Sequence, residues 1–488
     1  MSRHRTQSGT EWDLVGIARD VAIKEGFAVD FTDEEIASLP EKPLDVGTPD
    51  IVDDSKLLWS SVDNQESKDL DQIEVAERLE DGTIRIKIAI ADVDAFVPRG
   101  SPLDLHAAKT TSSLYAGIAT FPMLPDEISS GRTSLLPGEV RYAVVTEMDV
   151  APDGSVTKSR VYRAVVVNRA KLVYDDVGGW LEGHADAPAD FRRFPGLEEQ
   201  VRLQDEAAQR LRKRRIDHGA LQLETIEARA VAKDGAVVDL AVVAKNRGRE
   251  LVEDFMIAAN GATARWLESI RFASIRRIVR TPKRWEKIVS LAKELGHDLP
   301  PEPDAIALSQ FMEARRAKDP KHHADLSLKV VKLMGAGEYA VADPDCPEGH
   351  FGLAVDDYAH STAPNRRYGD LVTQRLLKAA ARGDASPYSV KELWDVARKC
   401  TEREDHARKF ERTMRKVAAA LFLSTRIGET FDAICTGVND KGTFVRLLSP
   451  PAEGRIVERE SGIDVGDAVK VRLVATEPTR GFIDFVRV

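Results

Sequence analysis

A chain of 488 residues, 43% hydrophobic and 31% charged, can bury several cores and predicts about two to four domains. It holds no apolar run near the roughly 20 residues that span a bilayer and no apolar stretch behind the basic start, so neither a membrane partner nor a secretory signal is expected. The net charge of −10 excludes a protein that coats nucleic acid through bulk charge, and the three scattered cysteines Cys346, Cys400 and Cys435 predict a reducing cytoplasm rather than a disulfide framework or a zinc site.

Residues 1 to about 10 are expected to be disordered. Leu14, Val15, Ala18, Val21 and Ala22 recur at helical spacing, with Gly26 as the stop, and Thr32-Asp33-Glu34-Glu35 is a capping box for a second short helix. This helix-turn-helix-like unit leads into a linker from Pro40 to Asp54, rich in Pro, Gly and Asp. Strands dominate from about 55 to 170, for example over 84–93, 143–150 and 157–167. A helix is expected over 196–216, then a hairpin over 221–243 with Asp234-Gly235 as its turn. Helices follow over 249–267, 283–295, 303–317, 325–334, 365–382 and 389–426. From Gly428 the pattern returns to five short strands with glycine turns, which suggests a small barrel of OB type. The expected architecture is multidomain α+β, with an N-terminal helical unit and linker over 1–54, a large mixed catalytic domain over 55–426 and a barrel over 427–488.

Between Val62 and Gln72 the chain places Asp63, Asp69 and Asp71 within nine residues. If this stretch is extended, Asp69 and Asp71 share one face and Leu70 takes the other. Clustered carboxylates repel unless a cation lies between them, and Mg²⁺ prefers such oxygen ligands. A solvated polar turn would explain the same pattern. The basic clusters at Arg210–Arg215, Arg276–Arg284, Arg315-Arg316 and Arg408–Lys416 read singly as solvated helix faces, although a channel could focus a few of them.

Several ordered motifs go beyond composition. Ile88-Ala89-Ile90-Ala91-Asp92-Val93, Gly100-Ser101-Pro102-Leu103-Asp104, Thr111-Ser112-Ser113-Leu114-Tyr115 and Phe121-Pro122-Met123-Leu124-Pro125 are followed by Lys171-Leu172-Val173-Tyr174-Asp175, Val252 through Asn260, His350-Phe351-Gly352-Leu353 and Tyr358 through Leu371. In this order and spacing they resemble the catalytic domain of the ribonuclease II / ribonuclease R family of 3′-to-5′ exoribonucleases, and the end of the chain looks like an S1 RNA-binding domain. The resemblance implies a Mg²⁺-dependent exoribonuclease, or one using Mn²⁺. Such an enzyme takes single-stranded RNA by its 3′ end and releases nucleoside 5′-monophosphates; a cytoplasmic monomer is expected, with structured RNA as a further partner if the entrance is open.

By the same resemblance Asp63, Asp69 and Asp71 match the metal-holding aspartates, with Asp71 the one on which cleavage depends most. The family has a further aspartate where this chain has Gln72, whose carbonyl could still serve as a neutral metal ligand. Arg366, in Thr362-Ala363-Pro364-Asn365-Arg366-Arg367-Tyr368, matches the arginine at the scissile phosphate, although Ala363 and Asn365 depart from the family pattern. Tyr115 and Tyr174 match aromatics along the nucleotide path, Glu253 a carboxylate near the ribose, and Glu411 a glutamate near the reacting end. A second stacking aromatic falls near Leu223, which leaves the base clamp one-sided. Phe444 matches an S1 stacking residue, whereas Lys441 stands where an aromatic often precedes it. Members usually carry two cold-shock barrels before the aspartates, and the roughly 60 residues here cannot hold both, so an open entrance is expected. The alternative is a non-catalytic RNA-binding paralogue, and a weaker rival is a metallophosphoesterase for small nucleotides.

Overall fold

The computed structural model describes residues 13–224, 228–233, 236–242, 245–342, 349–440 and 442–488. The expected disorder of residues 1–10, the hairpin turn Asp234-Gly235, Cys346 and Lys441 lie outside the described residues. Near the start, α1 (Leu14–Lys24) is capped by Asp13, which accepts from Gly16 N at 2.8 Å, and α2 (Asp33–Ala37) carries the reciprocal Thr32/Glu35 capping box. These helices do not stand apart as a separate unit. Leu14, Ile17 and Phe27 pack against Leu114, Phe121 and Phe410 in one cluster.

The strands that follow are β1 (Ile51–Asp53), β2 (Ser60–Asp63), β3 (Gln72–Arg78) and β4 (Ile84–Ala91). Then come α3 (Pro102–Thr110), the short pair β5 (Leu114–Tyr115) and β6 (Thr120–Phe121), and β7 (Val140–Val150), β8 (Val156–Val167) and β9 (Ala170–Val173). Seven of the strands form one sheet in the order β1-β8-β7-β4-β3-β2-β9. The expected linker therefore ends early: Ile51–Asp53 is an edge strand, pairing parallel with β8 from Ile51 opposite Arg163. Alternation along β4 divides the core. Ile84, Ile86, Ile88 and Ile90 enter a cluster with Val201 and Phe255, while Ala89 and Ala91 enter one with Trp59, Leu371 and Val372. Both faces of the sheet are covered from Ile88 on, while Arg85 and Lys87 near the start of β4 are only half-buried.

The helices that follow are α4 (Tyr174–Leu181), α5 (Asp190–Arg193), α6 (Leu197–Asp217), α7 (Arg247–Ser269), α8 (Trp285–Glu294), α9 (Ala305–Lys318), α10 (His323–Met334), α11 (Tyr368–Arg382) and α12 (Val390–Leu423), of which α8, α9 and α10 pack into a cluster of their own. The pairs β10 (Ala228–Lys233) with β11 (Ala236–Val242) and β12 (Ile275–Ile278) with β13 (Glu338–Val341) are antiparallel. Helix α11 begins at Tyr368 rather than at 365, because the N–H groups of Arg366 and Arg367 both turn back to Ala363 O at 3.2 and 3.0 Å. None of the described helices is long and apolar enough to cross a membrane.

The chain ends in a closed barrel of β14 (Thr430–Asn439), β15 (Gly442–Leu447), β16 (Glu453–Glu458), β17 (Ala468–Glu477) and β18 (Phe482–Arg487), in the order β14-β15-β16-β18-β17. Val445, Leu447, Ile456, Leu473 and Phe485 fill it, with Ala420 and Leu423 of α12 in the same cluster. Arg446 Nη2 also binds Asp325 Oδ1 at 2.7 Å, tying the barrel to α10. Together these elements make a mixed α+β molecule with an OB-type barrel at its end.

Candidate active site

Strand β2 ends on Asp63 and β3 begins on Gln72, so the acidic loop joins two neighbouring strands at one end of the sheet. In its second half Leu70 is fully buried in the core and Asp71 is left 4% exposed. Several bonds hold the loop. Leu70 N donates to Ser134 Oγ at 2.9 Å, Ser134 Oγ donates to Lys68 O at 2.7 Å, and Leu135 N donates to Leu70 O at 3.0 Å. On the other side Lys171 Nζ donates to the carbonyls of Gln65 and Ser67 at 2.8 and 2.7 Å.

Asp71 is held by two groups from the segment before α11. Asn365 Nδ2 donates to its Oδ1 at 3.1 Å and Arg366 Nε to its Oδ2 at 3.3 Å. Asp63 Oδ1 accepts from Gln72 Nε2 at 3.3 Å, and its Oδ2 is buried with no hydrogen-bond partner. Burial pushes both carboxyls up to about 6, Asp69 adds to the rise in each, and Arg366 is the strongest opposing influence on Asp71. Buried anions that repel one another and leave an oxygen orphaned call for a hard cation, so the donor set suits a divalent ion. The carboxylates are not preassembled around one point: among the described residues no three His, Cys, Asp or Glu side chains stand close enough to hold a metal ion. Gln72 turns its amide nitrogen to Asp63, which leaves its Oε1 as the oxygen available for an ion.

The aromatics sit around this centre. Ser113 N donates to Arg366 O at 3.1 Å and Tyr368 N to Thr111 O at 2.9 Å, which binds the approach to β5 against the Arg366 segment. Tyr115, at the end of β5, is 40% exposed. Its phenol is raised by desolvation first, is lowered in turn by Arg366, and feels both Asp69 and Asp71. Tyr174 opens α4 directly after β9, with Asp63 and Glu74 the strongest charges on its phenol after desolvation. The Arg249 guanidinium lies 4.7 Å from the centre of the Tyr174 ring, while its Nη1 donates to Asn64 Oδ1 at 3.2 Å. That helix can approach so closely because Gly248 is bare: a Cβ there would stand 2.5 Å from Tyr174 O.

Glu253 is exposed on α7, one turn beyond Arg249, and Glu411 is half-buried on α12. Leu223 lies half-buried against the cluster of α8, α9 and α10. Phe444 belongs to the distant barrel, where buried Thr443 and Val445 flank it and it faces Arg455 across the strand pair. It is therefore an outward-facing residue rather than barrel core. Many of the basic clusters are engaged structurally. Arg212 and Arg215 pair with Asp254, Arg276 with Asp357 and Glu268, Arg277 with Glu404, and Arg280 with Glu338.

One residue of the site escaped the sequence reading. Glu74 on β3 is fully buried, and neither carboxyl oxygen has a hydrogen-bond partner. Desolvation, and then Asp63, push its pKa well above 4.5. A glutamate inside an alternating strand gives no signal that its side chain faces the helix-covered side until the register sets it opposite Ser60. A folded-state pKa above the unfolded one means stability is full below about pH 4.5 and is lost as pH rises through the folded value. Glu74→Leu is therefore expected to stabilise the protein by about 1–3 kcal/mol, with a larger gain at pH 8 than at pH 5. Urea unfolding at the two pH values checks this, and a variant less stable at pH 8 would show that the carboxylate has a cationic partner.

A family model for the RNB domain matches residues 52–383, and one for the RNase II-type exonuclease C-terminal S1 domain matches residues 429–488. Ribonuclease R 1 of Lactococcus lactis is 26% identical, covering 99% of this chain and 63% of its own length. Ribonuclease R of Escherichia coli is 28% identical, covering 93% of this chain and 59% of its own length. The chain thus spans about three fifths of these curated relatives. The solved structure of Mycoplasma genitalium RNase R in complex with ribose-methylated single-stranded RNA superposes with a TM-score of 0.87 at 21% identity, covering 98% of this chain and 78% of that one, a likeness of fold.

Proposed function

The chain belongs to the RNB family of ribonuclease II-type proteins, and we propose that it is a 3′-to-5′ exoribonuclease that hydrolyses single-stranded RNA to nucleoside 5′-monophosphates with Mg²⁺ or Mn²⁺. The observation that carries this reading is Asp71, a buried carboxylate at the end of the acidic loop, shared between Asn365 and Arg366. Asp63, Asp69 and Asp71, with the Gln72 carbonyl oxygen, would hold the ions. When bound, a divalent ion supplies charge neutralisation and water activation for phosphodiester hydrolysis. Arg366 binds the scissile phosphate, where a guanidinium counters charge that grows as the bond breaks. Tyr115 and Tyr174 stack on bases near the 3′ end without demanding a sequence. Glu253 accepts from a ribose 2′-hydroxyl, the group that separates RNA from DNA. Glu411 contacts RNA near the reacting end, and Phe444 with Arg455 offers a stacking and charged surface on the barrel.

The RNA seen with the Mycoplasma genitalium protein is consistent with this substrate. Free, buried Cys400 and Cys435 suit a reducing cytoplasm, and the reading is of a monomer. The test is end-labelled single-stranded RNA with and without EDTA. Mononucleotides that appear only without chelator support the reading, and an intact but bound RNA favours the non-catalytic paralogue, for which Gln72 in place of an aspartate is the one specific argument.

Gln72 also carries a prediction of its own. A neutral amide supplies less attraction for a cation than a carboxylate, so Gln72→Asp is expected to lower the Mg²⁺ concentration for half-maximal rate several-fold. The same change sets two carboxylates together where Gln72 Nε2 now donates to Asp63, so the metal-free variant should melt lower. A Mg²⁺ titration of rate, with melting in EDTA, measures both; unchanged metal dependence would mean another carboxylate already fills the role.

A further inference from the structure

The segment Thr133-Ser134 reaches Asp71 by two separate routes. Thr133 Oγ1 donates to Asn365 Oδ1 at 2.9 Å, and Asn365 Nδ2 donates onward to Asp71 Oδ1 at 3.1 Å. Ser134 Oγ meanwhile fixes the backbone at Lys68 and Leu70, directly before Asp71. Thr133, Ser134 and Asn365 are 3%, 0% and 1% exposed, so water does not compete for these bonds.

Asp71 sets the polarity of the chain. Thr133 Oγ1 lies 2.8 Å from Ile128 O as well as 2.9 Å from Asn365 Oδ1, and both oxygens accept, so its one proton is shared between them. An ionised Asp71 only accepts, which requires the Asn365 NH₂ to face it and the Asn365 oxygen to face the hydroxyl. With Oδ1 tied in this way, Oδ2 is left to Arg366. We propose that Asn365, anchored by Thr133, is a positioning residue that sets the Asp71 carboxylate in the one orientation that also meets Arg366. The proposal deepens the exoribonuclease reading and rests on it for its kinetic consequences.

The experiment compares Thr133→Val, Thr133→Ser, Asn365→Leu and the double variant Thr133→Val/Asn365→Leu in the full chain. A carboxylate free to rotate misplaces the reacting geometry, and such misplacement costs up to about 10²-fold in rate. Thr133→Val is expected to lower kcat about 10-fold with RNA affinity unchanged, and Thr133→Ser to restore it. Asn365→Leu should lose more, and the double variant no more than Asn365→Leu alone, because two residues acting through one bond are not additive. Mn²⁺ binding without RNA, followed by electron paramagnetic resonance, should weaken several-fold in Thr133→Val and recover in Thr133→Ser. Wild-type kcat and Mn²⁺ affinity in Thr133→Val, an equal loss in Thr133→Ser, or additive losses would overturn the proposal. A wild-type protein that binds Mn²⁺ but leaves RNA intact would overturn the exoribonuclease reading, while the Mn²⁺ comparison still decides the positioning role.

Discussion

Asp71→Asn is expected to reduce RNA hydrolysis by about 10³-fold or more while RNA affinity changes less than about threefold, because the carboxylate serves the transition state and other residues supply ground-state binding. The substitution keeps the volume of the side chain but removes the anion. It also sets an amide where Asn365 Nδ2 and Arg366 Nε both require an acceptor, so one of the two bonds is lost. A second readout separates this from unfolding. Burial holds the Asp71 carboxyl at about 6 in the metal-free protein, above its unfolded value of 3.8, so its stability contribution is full below the lower value and lost as pH rises through the higher one. Metal-free Asp71→Asn should consequently melt higher than wild type at pH 8 and show little difference near pH 4. Hydrolysis within tenfold of wild type, measured on end-labelled RNA with saturating Mg²⁺, would remove Asp71 from the centre of the reaction.

The parts of this molecule that were legible in its sequence are those written in local spacing. The capping box at Thr32 and Glu35, the strand over 84–91, the long helix and the five short barrel strands are each specified by residues a few positions apart. The acidic loop was legible for the same reason. What stayed hidden depends on long-range pairing. Asn365 read as a departure from a pattern, and only its meeting with Asp71 across 294 positions makes it part of the site. Nothing local sets Glu74 apart, and only the placement of β3 beneath α6 makes it a buried acid. Ile51–Asp53 read as linker because a three-residue edge strand gains its partner, β8, from more than a hundred residues away. The arginine clusters read as charge for RNA or for solvent, yet most of their partners are acids on other elements, such as Asp254 and Asp357. Composition cannot tell a paired cation from a free one.

Arg366 and Arg367 stand side by side and are expected to fail differently when changed. The Arg366 side chain is 43% exposed and touches Asp71 through Nε, so its forked end is not taken up by Asp71. Arg367 is turned inward, its Nη2 donating to Asp370 Oδ1 at 2.7 Å and to Thr362 Oγ1 at 3.3 Å. A guanidinium aimed at developing negative charge in a site shielded from water is typically worth about 10²–10³ in rate. Arg366→Ala should therefore lower kcat by that factor with little change in melting temperature. Arg366→Lys retains the charge but not the planar pair of donors, and should recover only part of the loss. Arg367→Ala instead takes the cationic partner from Asp370, a fully buried carboxylate at the start of α11 that would keep the Ala363 N–H at 2.9 Å, and breaking such a pair costs about 3–5 kcal/mol, so its effect should appear as lost stability. Single-turnover rates and thermal melts of the three variants distinguish these roles. If Arg366→Ala turned over RNA at the wild-type rate, or if its loss of activity were matched by an equal loss of fold, the phosphate contact would have to be sought elsewhere, and Arg249, already stacked on Tyr174 beside Asp63, would be the first place to look.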